Sequence, residues 1–275
     1  MEEFPQTEQQ KFTLNSAIWV AIKSQIIGFG IMIIPLMILF VIFNKNGDTE
    51  LSEIPFYNTI VLLSVALGEY IVIKRTMKTL NLVGFPIRKT TVLISFLLVG
   101  FTIFGGILIG EFSSIFNLPN IVKWHEMSKF DIIVGGIILA PIMEELLFRG
   151  LILEGLLRTY SPEKAIVFSS IIFGVIHFNP AQILSATLMG IFLGWLYYRS
   201  KSLAPSIIVH FANNFLAFFP MFFTDFDKEA WEKITIYSWL GNVWLYILLI
   251  LVSSIIVFFV LKTLNEKWKN SLTAK

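Results

Sequence analysis

The sequence predicts an all-α, polytopic membrane protein with about eight transmembrane helices. Three observations predict it. Of the 275 residues, 56% are hydrophobic, and Phe alone occurs 27 times. Only 15% are charged, against roughly 25% in a soluble domain. The apolar residues also fall in long blocks rather than at an amphipathic period. Those blocks approach the roughly 20 helical residues needed to cross a hydrocarbon core.

The chain opens on a polar tail, residues 1–16, that includes Glu2, Glu3 and Glu8. The apolar stretch after it is too long for a signal-peptide core and has no clear small-residue cleavage site, so it is read as the first span. The predicted spans are 17–43, 55–74, 91–110, 131–157, 163–178, 181–199, 203–219 and 240–262. Asn179-Pro180 and Ala204-Pro205 separate the short later ones, because the residue before a proline disfavours helix. Four regions follow: a tail (1–16), N-terminal membrane helices (17–130), a core (131–219), and a C-terminal region (220–275) with an external loop, the last helix and a second tail.

Loop charge sets the expected orientation. Lys74, Arg75, Lys78, Arg88 and Lys89 follow span two, Arg199 and Lys201 follow span six, and Lys262, Lys267, Lys269 and Lys275 end the chain. The opposite loops are acidic, with Asp48, Glu50 and Glu53, then Asp225, Asp227, Glu229 and Glu232. The positive-inside rule places both termini in the cytoplasm of a multi-pass cell-membrane protein. Lipid is thus an expected partner. The net charge of +2 gives no reason to expect nucleic acid, and the absence of Cys excludes thiol catalysis. Oligomeric state is not readable. Gly106/Gly110 and Gly190/Gly194 are small-xxx-small patterns, suited to close helix approach or simply to membrane helices in general.

The fourth span carries Pro141-Ile-Met-Glu144-Glu145-Leu-Leu-Phe-Arg149-Gly150. Ionisable residues inside an apolar helix each cost at least ~2.5 kcal/mol, so they face the protein interior or a water-filled cavity. An ion pair needs one acid, and two are present. At about 100° per residue, Glu145 and Arg149 share a face as an i, i+4 pair, which leaves Glu144 without a partner in its own helix. A carboxylate so placed suits general-base work. Pro141 removes the hydrogen bond to the Ile137 carbonyl one turn earlier.

Phe173-Gly-Val-Ile-His177 ends the fifth span, and His210-Phe-Ala-Asn-Asn214 lies in the seventh. Phe173 is placed to pack over His177, and Asn214 shares a face with His210. Asn213 is left out of the site. At 1.5 Å per residue, Glu144, His177 and Asn214 come to similar depths, with His210 one turn shallower. The third histidine, His125, reads as an interfacial loop residue. Lys23 and Glu69 are expected near the cytoplasmic ends of spans one and two, snorkelling or paired.

The three motifs resemble EExxxR, FxxxH and HxxxN of the CPBP intramembrane proteases, the CAAX prenyl endopeptidase and bacteriocin-processing family. All three match in order, within residues 130–220. The resemblance implies eight helices around a cavity open to the cytosol, with a peptide or membrane-protein substrate. It implies catalytic residues Glu144, Glu145, Arg149, His177, His210 and Asn214: Glu144 and His177 activate water, while His210 and Asn214 stabilise the oxyanion. No cofactor is favoured. Zinc is the alternative, with Glu144, His177 and His210 as candidate ligands, although the two histidines do not form the HExxH pattern in which both share one helix face. The competing functions are a non-catalytic scaffold or bacteriocin self-immunity protein, and a proton-coupled transporter. Four catalytic-type residues argue against the first, and the lack of an inverted repeat against the second.

Overall fold

A computed structural model of the protein describes residues 11–44, 57–80, 128–222 and 240–249, with positions 251, 252, 255, 258, 259 and 262. Among the described residues the chain is all-helical, with no strand. The predicted third span, 91–110, lies outside them, as do Gly106, Gly110, His125 and the acidic loops.

Helix α1 spans Leu14–Phe43. Thr13 caps it: its hydroxyl accepts from the Ser16 N–H, and Ser16 reaches back to the Thr13 backbone, so two orphan donors are satisfied at once. The helix therefore starts inside the stretch expected to be tail. Ile26, Ile33, Ile34 and Met37 are exposed along it. Among the described residues it is the helix long and apolar enough to cross a membrane by length and composition. Helix α2 spans Tyr57–Leu80 and runs beyond the predicted 74.

The two helices are antiparallel and cross at two glycines. A Cβ built on Gly68 would strike the Gly28 backbone, and one on Gly28 would lie 2.7 Å from Val65 Cα. Only hydrogen fits at either position.

Residues 129–156 form one continuous helix, α3, whose winding alternates. Lys129–Asp131 is α-helical, Ile132–Leu139 π-helical, Ala140–Glu145 α-helical, Leu146–Leu153 π-helical and Glu154–Leu156 α-helical. Ahead of Pro141, which has no N–H, the Ala140 N–H bonds to Gly135 O, five residues back. Such windings are rare and concentrate at functional sites. Helix α3 is central: Leu147, Phe148, Leu151, Ile152, Leu153 and Leu156 are all fully buried.

Three further helices surround it: α4 (Pro162–Val175), α5 (Pro180–Ser200) and α6 (Leu203–Phe218). They coincide with the predicted fifth, sixth and seventh segments to within a few residues. Gly190 and Gly194 let α5 lie close on α4; a Cβ on Gly190 would meet Ser170 Cβ at 3.0 Å. The small-residue pattern there is an interhelical contact.

Side-chain ties fix the directions. Thr59 donates to Asp131, and the Leu62 side chain lies against Gly135, so α2 and α3 run parallel. His210 meets Glu145 while Phe218 lies against Gly136, so α6 runs antiparallel to α3. At the other end of α3, the Tyr197 hydroxyl donates to Glu154 at 3.0 Å, and Leu14 N–H donates to the Tyr160 hydroxyl at 3.2 Å.

Candidate active site

The two adjacent acids of α3 have different surroundings. Glu145 is fully buried, and its Oε1 accepts from Arg149 Nη1 at 2.5 Å and lies 2.9 Å from His210 Nδ1. The i, i+4 geometry predicted this ion pair. Arg149 Nη2 also donates to Gly190 O at 3.3 Å, and the guanidinium sits 4.6 Å from the Phe173 ring centroid. The charge is thus held by a carboxylate, a carbonyl and an aromatic face together.

Glu144 keeps 22% of its side chain exposed. Among the described residues no group hydrogen-bonds its Oε2, although that atom is buried, and the same holds for Glu145 Oε2. Among the described residues His210 Nε2 is the basic nitrogen beside it, at 3.7 Å, beyond hydrogen-bond reach. Arg149 Nε is likewise buried without a hydrogen-bond partner among the described residues, so the two acids differ in that Glu145 commits Oε1 to Arg149 and His210 while Glu144 remains partly exposed.

His210 therefore lies between the two acids, with one ring nitrogen toward each. His177 has Nδ1 2.8 Å from Phe173 O. A carbonyl only accepts, so His177 donates from Nδ1, which leaves Nε2 as an acceptor. Phe173 links both rings: it meets His177 edge-on at 5.0 Å and His210 at 5.7 Å between centroids. Phe148 packs on it at 4.9 Å.

Asn214 is one turn further along α6. Its Nδ2 donates to Gly136 O at 2.8 Å, and its Oδ1 accepts from Asn213 Nδ2 at 3.3 Å. Asn214 and His210 both face α3, but they reach it at different heights, at Gly136 and at Glu145. Asn213, left out of the predicted site, braces the Asn214 amide.

Among the described residues, no three His, Cys, Asp or Glu side chains converge as a metal-holding group.

Glu69 departs from expectation. It is buried, and its Oε1 accepts from Gln25 Nε2 at 3.4 Å, while Lys23 is exposed. Neither snorkelling nor pairing with Lys23 describes it.

Residues 127–216 match the family model for the Type II CAAX prenyl endopeptidase Rce1-like proteins. The chain is also similar to YdiL, a proposed membrane peptidase of Bacillus subtilis (strain 168). The identity is 36% over 83 residues, which is 30% of this chain and 34% of that protein. The match thus spans about a third of the relative's length. No solved structure matches the chain. The two likenesses are thus to a CAAX-type prenyl endopeptidase family, over the segment that carries Glu144, His177 and His210, and to a proposed membrane peptidase.

Proposed function

We propose that the chain is an intramembrane endopeptidase that hydrolyses a peptide bond of a membrane-associated or lipidated substrate. The observation that carries this reading is the division between the acids: Glu145 is fully buried with its Oε1 committed to Arg149 and His210, while Glu144 is partly exposed and forms no ion pair with Arg149.

Glu144, assisted by His177 Nε2, takes a proton from water as the oxygen attacks the scissile carbonyl carbon. The carbonyl π electrons move to oxygen. His210 Nε2 and the Asn214 amide donate to that oxyanion; for this step His210 carries protons on both nitrogens, one donated to Glu145. Collapse of the intermediate breaks the C–N bond, and Glu144 returns its proton to the leaving amine. Donors aimed at an oxyanion are each worth about 2.7–4 kcal/mol. Arg149 acts through Glu145 by fixing the carboxylate that orients His210. No metal takes part in this scheme.

The N-terminal helices (17–130) frame the catalytic core (131–219), with eight spans and both termini cytoplasmic. The supports are loop charge and the helix directions. Parallel α2 and α3 are what an intervening span at 91–110 requires, and antiparallel α6 follows from three further crossings.

The test is cleavage of a membrane-embedded peptide in liposomes by wild type and Glu144→Gln. Cleavage by the wild type alone is expected. Equal cleavage by the variant removes the reading.

A further inference from the structure

Asn214 donates to a carbonyl that α3 itself leaves open. Its Nδ2 meets Gly136 O at 2.8 Å, and Phe218, one turn further along α6, lies against the same glycine. In an α-helix Gly136 O would accept from the Ala140 N–H, four residues on. Ala140 bonds instead to Gly135 O, five residues back, which is the spacing of a π winding. At that spacing the donor due to Gly136 O is residue 141. Residue 141 is proline, which has no N–H. Gly136 O is therefore without a backbone donor at either spacing. By α-helical spacing the gap made by Pro141 would fall on Ile137; the π winding puts it on Gly136. An open carbonyl in an apolar membrane helix is costly, and it is met by a donor from a neighbouring helix.

The Asn214 amide is consequently fixed from both sides. Its Oδ1 accepts from Asn213 Nδ2 at 3.3 Å, and the Gly136 carbonyl, an acceptor only, admits Nδ2 on the α3 side. An amide nitrogen carries two N–H groups, so one remains once Gly136 is served. We infer that Pro141 is a positioning residue for the proposed hydrolysis. By withholding a backbone donor it leaves the Gly136 carbonyl to Asn214, and so sets the amide whose second N–H serves the oxyanion. The inference rests on the endopeptidase reading for its catalytic consequence, though not for the Pro141–Gly136–Asn214 linkage itself.

Pro141→Ala supplies the missing N–H, which then competes with Asn214 for the α3 carbonyl. Removing a proline from a helix interior favours the helix, so the variant is expected to fold. Thermal unfolding in detergent tests the linkage without any activity. Asn214→Ala should lower Tm in the wild-type background, where it strands Gly136 O, and clearly less in Pro141→Ala, where a backbone donor is at hand. In liposome cleavage, Pro141→Ala is expected to lower kcat roughly ten- to hundredfold through misplacement of the amide, with KM within about twofold of wild type. The same substitution should cost little more in an Asn214→Ala background. Replacing Pro141 by L-lactic acid, whose backbone ester also lacks the N–H, should recover most of the loss. Unchanged kcat in Pro141→Ala, or an equal Tm loss from Asn214→Ala in both backgrounds, overturns the inference. So does a kcat loss of the same size with and without Asn214, which would have Pro141 act on Glu144 through the course of α3 alone. If Glu144→Gln itself still cleaves, the endopeptidase reading fails, while the Tm comparison continues to decide the linkage.

Discussion

His210 Nδ1 lies 2.9 Å from Glu145 Oε1, an oxygen that also receives Arg149 at 2.5 Å. A ring on α6 is thereby oriented by an ion pair internal to α3. The other nitrogen of the ring is directed at Glu144, 3.7 Å away. Losing the ion pair would disturb the aim of His210 as well as the fold.

Glu145→Gln is accordingly expected to lower stability by about 3–5 kcal/mol, because it leaves Arg149 as an uncompensated buried charge. Glu144→Gln should unfold no earlier than wild type yet be inactive. Thermal unfolding of both variants in detergent, alongside cleavage, checks this. Equal stability of the two variants, or exchanged phenotypes, would contradict the assignment.

Asn214→Ala should lower turnover by ~10²–10³ while leaving substrate binding nearly intact, because an oxyanion exists only near the transition state. Single-turnover cleavage separates the two effects. If Asn214 instead serves only as the α6–α3 tie through Gly136, Tm falls and the cleavage rate of bound substrate stays at the wild-type value.

Phe173→Leu tests the ring that touches Arg149, His177 and His210. It should cut kcat by at least about tenfold, since both imidazoles lose their packing partner and small misplacements are costly. Phe173→Ala should add a cavity cost of ~3–5 kcal/mol. Retention of full activity in a folded Phe173→Leu protein would show that the ring only fills space.

Purified protein should hold no stoichiometric zinc. Elemental analysis decides, and a 1:1 content lost in both His177→Ala and His210→Ala would replace the metal-free scheme.

A reporter fused after Lys275 should register on the cytoplasmic side. An external reading would invert the proposed topology.

Much of the site was legible because helix periodicity is local. The Glu145–Arg149 pair and the Phe173–His177 contact follow from four-residue spacing alone. The Gly190/Gly194 pattern left close helix approach and simple membrane-helix composition open, and the contact of α5 with α4 decides for the first. The π windings on either side of Pro141 were not legible, because a changed hydrogen-bond ladder depends on how neighbouring helices receive the freed carbonyls. The inward turn of Glu69 was missed for a related reason. Its burial depends on a glycine crossing and a register between helices 60 or more residues apart, and neither is encoded in spacing along one segment. The tie from Asn214 to the Gly136 carbonyl was not legible either, because side-chain reach, as well as depth along the axis, decides what an amide meets.

The buried guanidinium of Arg149 also constrains how α3 can move. An apolar helix in a bilayer meets similar surroundings after turning about its axis or sliding by a residue. Helix α3 does not, because Arg149 is held at once by Glu145, the Gly190 carbonyl and the Phe173 ring. Rotation or a one-residue slip would carry the Glu145–Arg149 pair along but break the ties to the Gly190 carbonyl and the Phe173 ring, and would turn the cation toward hydrocarbon, which is costly on every scale. The depth and azimuth of α3 are thus pinned by one charge rather than by the length of its apolar stretch. Changes in bilayer thickness should therefore be absorbed by the outer helices and leave the placement of Glu144 unaltered.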